Sequence, residues 1–173
     1  GGALPTGAPS AFTAPANVKT ILSQLKAGGG GDAPEGTTQA LWMAVTGKPY
    51  QATLGGLWKS EPPSCADPKE LGTPCFRPDA VPIFVLITDA PFHAGPQAAN
   101  DYDPKGTGGT VSYADTVDAL KQRNAKVIGV AVDTGLPGAA RADLSDLAVK
   151  TGSVYYDPAF GGSEKPLVTT QDT

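Results

Sequence analysis

The chain has 173 residues, about one domain's length. Glycine (22) and proline (17) make up more than a fifth of it, while hydrophobic residues at 40% are enough for a modest core. Its net charge of −4 lacks the basic footprint of a nucleic-acid binder, and no run approaches the roughly 20 apolar residues of a membrane span.

Residues 1–15 hold mostly Gly, Pro, Ala, Ser and Thr and read as a linker or tail ahead of a domain at 16–173. Val18, Ile21, Leu22 and Leu25 then fall on one face of a short helix, stopped by the four glycines Gly28 to Gly31. A second helix is expected over Thr37 to Thr46, with Asp32, Pro34 and Glu35 at its start and Gly47 past its end. Residues 48–80 have no sustained period and hold both cysteines, so they read as a long loop. Cys65 and Cys75 suggest a disulfide clasping that loop; the alternative is two unrelated buried thiols. A disulfide implies the periplasm, the cell surface or the exterior. Gly1 has no leader ahead of it, so the chain reads as processed, cut down or one piece of something longer.

Val81 to Thr88 is continuously apolar after Pro82, as in a parallel strand buried on both faces. Asp89 to Gly109 is a polar, glycine-rich loop. Ser112 to Asn124 reads as a helix opened by a capping box of Ser112 and Asp115. Lys126 to Val132 is a second buried strand, Ala139 to Thr151 a helix ended by Gly152, and Ser153 to Tyr156 a third short strand. Alternating strands and helices imply a doubly wound, mostly parallel α/β sheet with helices on both faces. Three strands are few for that fold. One to three more are expected from the N-terminal side or from another chain.

Ligands in such sheets sit beyond the carboxyl ends of the strands. Asp89 stands there, as a turn cap or as a ligand. Asp32 and Glu35 either cap a helix or face a cation across the glycine run. A phosphate does not suit them, and the Gly-Lys-Ser/Thr of a P-loop is missing. Oxygen ligands alone point to Mg²⁺, Mn²⁺ or Ca²⁺. His93 reads as a loop histidine packing beside Phe92 or steadying the metal loop. A catalytic pair with Asp89 lacks a nucleophile, and no enzymatic activity is expected. Asp101 and Asp103 read as a solvated loop near the site's rim.

Three segments together resemble a von Willebrand factor A domain, closest to its integrin-β-like and bacterial surface varieties. They are Gly30-Gly31-Asp32-Ala33-Pro34-Glu35-Gly36, Ile87-Thr88-Asp89-Ala90-Pro91-Phe92-His93, and Val127 to Val132 with Leu147 to Gly152. The resemblance covers about residues 16 to 168. It implies a metal-ion-dependent adhesion site built by three loops. Glu35 matches the second loop's ligand and Asp89 the third's, with Asp32 at an adjacent cation. The first loop, Asp-x-Ser-x-Ser, is absent; Asp143-Leu144-Ser145-Asp146 sits inside a helix and caps or solvates it. The implied function is adhesion through Mg²⁺ (or Mn²⁺ or Ca²⁺), whose open position takes an acidic group of a protein or surface ligand. An upstream fragment or second chain would complete the sheet. The alternative is a metal-free structural domain of a surface filament or envelope complex.

Overall fold

The computed structural model describes residues 15–24, 33–48, 51–52, 58–59, 65, 67–96, 111–133, 138–158 and 162–172. Along the chain come α1 (Pro15–Gln24), α2 (Thr37–Thr46), β1 (Gln51–Ala52), β2 (Trp58–Lys59), β3 (Ile83–Thr88) and α3 (Tyr113–Gln122). Then follow β4 (Lys126–Asp133), α4 (Ala139–Lys150), β5 (Val154–Tyr156), β6 (Glu164–Pro166) and β7 (Val168–Asp172). The protein is α/β, around a three-stranded parallel sheet in the order β3-β4-β7.

Helices form over the expected stretches and two of the expected end signals are seen, while the glycines Gly28 to Gly31 expected to stop α1 lie outside the described residues. Gly47 ends α2 in the left-handed region at φ 68°, which glycine adopts without a Cβ penalty. Ser112 and Asp115 close the capping box of α3, the Ser112 hydroxyl accepting from the Asp115 amide at 3.1 Å. Gly129 of β4 lets α4 lie close, because a Cβ there would stand 3.0 Å from Leu144 Cβ.

Two strand expectations are corrected. Val154–Tyr156 does not join the main sheet; it pairs antiparallel with Glu164–Pro166. The third parallel strand is Val168–Asp172, a Val-Thr-Thr-Gln-Asp segment too polar to stand out by hydropathy. Nor is β3 buried on both faces. Phe84 and Leu86 pack against the core, while Ile83, Val85 and Ile87 are 59%, 59% and 68% exposed.

The core explains this asymmetry. Leu41 and Val45 of α2, Val117 and Leu120 of α3, and Leu144 and Leu147 of α4 form one cluster with Val127 and Ala131 of β4. The order β3-β4-β7 advances in a single direction. Right-handed crossovers through α3 and then α4 therefore fall on the same face of the sheet. Helices on both faces require the direction to reverse, and no reversal occurs among the described strands.

Candidate functional site

The carboxyl end of β3 leads into a tight turn. The Ala90 amide donates to Thr88 Oγ1 at 3.2 Å, and that hydroxyl donates to the Ala90 carbonyl at 3.1 Å. Asp89 stands exposed between them. The chain then runs beside the segment that opens α2. The Glu35 amide donates to the Pro91 carbonyl at 2.8 Å, and the His93 amide donates to the Glu35 carbonyl at 2.8 Å. Glu35 and Phe92 thus form a parallel bridge. Two loops far apart in sequence become neighbours through backbone bonds.

Thr38, fully buried in the first turn of α2, strengthens the junction. Its hydroxyl donates to the Ala94 carbonyl at 3.0 Å, and its own carbonyl accepts from Thr116 Oγ1 at 3.3 Å. Gln39 Nε2 reaches the Val111 carbonyl at 3.4 Å, just ahead of α3. The starts of α2 and α3 and the loop after β3 are therefore fastened together at the same edge.

Glu35 is not a helix cap. The N-cap of α2 is Gly36, with no side-chain cap bond and no acid in the first turn. Its carboxylate is exposed, as is Asp89. His93 is buried at 8% exposure, packed into the loop. Asp32, Asp101 and Asp103 lie outside the described residues.

Beneath this edge lies a residue whose place the sequence reading missed. Asp143 of α4 neither caps nor solvates its helix. It is 1% exposed, and its Oδ2 accepts the Phe92 amide at 2.8 Å. Among the described residues its buried Oδ1 has no hydrogen-bond partner. Burial lifts this carboxyl above its ordinary range; the Phe92 amide pulls the other way and the nearby Asp146 charge adds to the rise. A signal was available. Ala140, Asp143, Leu144, Leu147 and Ala148 recur on one helical face, so periodicity alone puts Asp143 in the buried stripe.

Asp146, one turn on, does something different. It accepts from the Tyr113 hydroxyl at 2.7 Å and from Lys150 at 2.8 Å, while the Lys150 ammonium lies 4.9 Å from the Tyr113 ring centre. The Tyr113 hydroxyl is held protonated, chiefly by burial and then by its bond to Asp146. This network ties α3 to α4 away from the Asp143–Phe92 contact.

Cys65 and Cys75 are joined in a disulfide with Cα atoms 5.5 Å apart. The clasped loop caps the other end of α2: Thr73 donates its amide to the Ala44 carbonyl at 2.9 Å and its hydroxyl to the Met43 carbonyl at 2.8 Å. Cys65, Glu70 and Cys75 are close enough together to suggest a metal cluster, yet both sulfurs are used by the disulfide. Among the described residues, no group of three or more candidate ligands includes Glu35 and Asp89, and no helix is long and apolar enough to cross a membrane.

Compared with known protein families and with curated proteins, the chain matches none.

Proposed function

We propose that this chain is part of a metal-ion-dependent binding module of the von Willebrand factor A kind, from a bacterial cell-surface or secreted protein. One observation carries the reading. The Glu35 and Asp89 loops, picked out as two of three cation loops, meet through the Glu35–Phe92 bridge at the carboxyl edge of a parallel sheet. Glu35 and Asp89 would hold Mg²⁺, Mn²⁺ or Ca²⁺, with Asp32 in support, and an acidic group of a partner would complete the shell. Two exposed carboxylates fit a hard cation chemically but supply only part of its shell. The Asp-x-Ser-x-Ser loop must come from a segment outside these residues, as must the strands of a doubly wound sheet. The disulfide suits an oxidising compartment.

The test is a calorimetric titration of the three cations into the chain, alone and with any upstream fragment that travels with it. Binding is expected to be weak in the chain alone, stronger with the third loop present, and lost in Asp89→Ala. A form that carries Asp-x-Ser-x-Ser and still binds no cation would sink the reading.

A second reading, a metal-free assembly domain, draws on the exposed Ile83, Val85 and Ile87 row, which suits a structural contact. It predicts that Asp89→Ala leaves assembly and adhesion intact.

A further inference from the structure

The Asp143–Phe92 contact joins a helix of the core to a loop of the candidate cation edge. Four observations bear on its role. Asp143 and Phe92 are each 1% exposed, so water does not compete for the 2.8 Å bond between them. The residues on either side of Phe92 hold Glu35 on both sides of its peptide: Pro91 accepts the Glu35 amide and His93 donates to the Glu35 carbonyl. Gly95 leaves room for the carboxylate, since a Cβ there would stand 3.3 Å from Asp143 Oδ2 and 3.0 Å from the Phe92 carbonyl oxygen. Finally, an apolar side chain would suit the stripe between Ala140 and Leu144 better. A carboxyl buried to this degree is a cost to folding that a single accepted hydrogen bond offsets only in part.

We infer that Asp143 is a positioning residue: by holding the Phe92 amide from below, it sets the register of the Pro91–His93 segment and thereby the place of Glu35 beside the Asp89 turn. The inference rests on the cation reading for its purpose but not for its geometry. Asp143 accepts from the Phe92 amide and bonds neither Glu35 nor Asp89. It acts through one backbone amide, and a residue that can still accept a hydrogen bond at that point should substitute for it.

The experiment is amide hydrogen exchange on the metal-free chain, read residue by residue. In Asp143→Ala, the Phe92, His93 and Glu35 amides should lose at least about tenfold in protection together. The Val127 and Leu147 amides should keep theirs. Asp143→Asn, whose amide oxygen can accept from Phe92, should restore protection. Gly95→Ala approaches the same contact from the loop side and should expose the same three amides. It keeps the test alive if Asp143→Ala fails to fold. Unchanged exchange at His93 and Glu35 in both disruptive variants would overturn the inference, as would equal loss in Asp143→Asn. A Mn²⁺ titration then separates the two claims. A loss of affinity in Asp143→Ala that Asp143→Asn repairs extends the inference to the ion. A third-loop-containing form that binds no Mn²⁺ defeats the cation reading alone, because the exchange result needs no ion.

Discussion

On one face of the sheet, Val127 and Ala131 are buried beneath α3 and α4. On the other, Ile83, Val85 and Ile87 stand more than half exposed along β3, and Ile128 and Val130 beside them on β4 are only partly covered. Both faces are apolar: Phe84, Leu86, Val127, Gly129 and Ala131 lie on the covered one, Ile83, Val85, Ile87, Ile128 and Val130 on the open one. Crossover direction makes the difference, because every described step across the sheet runs the same way and puts its helix on the same side. Composition therefore says that a strand can be buried, while topology decides which face is.

The sharpest way to test the contrast is to remove volume from the covered face. Leu144 is fully buried and meets Gly129 of β4. Leu144→Ala should lose the transfer energy and leave a cavity, costing about 2–5 kcal/mol by urea unfolding. A loss below about 1 kcal/mol would mean that α4 does not pack as described.

The next effect concerns the clasp at the far end of α2. Cys65 and Cys75 stand ten positions apart in the sequence. Closing a loop of that size in the unfolded chain is worth about 2–3 kcal/mol. The double change Cys65→Ala with Cys75→Ala should lower stability by that amount in a thermal melt. It should also loosen the Thr73 contacts to Met43 and Ala44 before it disturbs Glu35 at the opposite end of the helix. Equal loss of exchange protection at both ends of α2 would show instead that the helix opens as a unit.

On the open face the expected change is much smaller. Val85→Lys should alter stability by no more than about 0.5 kcal/mol, since the side chain is already in water. Its visible effect should be on association. Among the described strands β3 is bonded to β4 alone, and an apolar edge strand invites other strands. Sedimentation at rising concentration should show less self-association in Val85→Lys than in the unsubstituted chain. A large loss of stability would mean that this face is covered after all.

What the sequence told, and what it withheld, follows the same division. Local signals served well. The capping box at Ser112, the glycine after α2, the spacing of the two cysteines and the helical periods all had local causes and could be read locally. Long-range pairing was harder. Ser153 to Tyr156 reads as a third short strand of the parallel sheet, yet Val154–Tyr156 pairs antiparallel with Glu164–Pro166 nearby. Val168–Asp172 carries no strand signal, because Thr, Gln and Asp show no burial pattern, yet it is the neighbour of β4. Of the candidate site, the meeting of Glu35 with the segment after Asp89 was anticipated only through a family resemblance. Asp143 is hard to read because a charged residue in a helix ordinarily faces solvent, and only its place in the apolar stripe says otherwise.

The smallest effect is the most specific to that residue. Burial disfavours the charged form of Asp143, so the folded chain holds this proton more tightly than the unfolded chain does. Well below the ordinary carboxylate range both states are protonated. As the pH rises through that range the unfolded chain releases its proton first, and stability falls until the folded carboxyl ionises as well. The groups acting on Asp143 are few. The Phe92 amide favours ionisation and Asp146 opposes it, while Tyr113 on α3 stays neutral through this range. Asp143→Asn keeps an acceptor for Phe92 and cannot ionise. The stability of the unsubstituted chain relative to Asp143→Asn should therefore decline from about pH 4 to about pH 7, as measured by urea unfolding at each end. A difference that does not change with pH would mean that Asp143 ionises alike in both states. The carboxyl would then pay no charge penalty for its place under the loop, and an asparagine would serve there equally well at any pH.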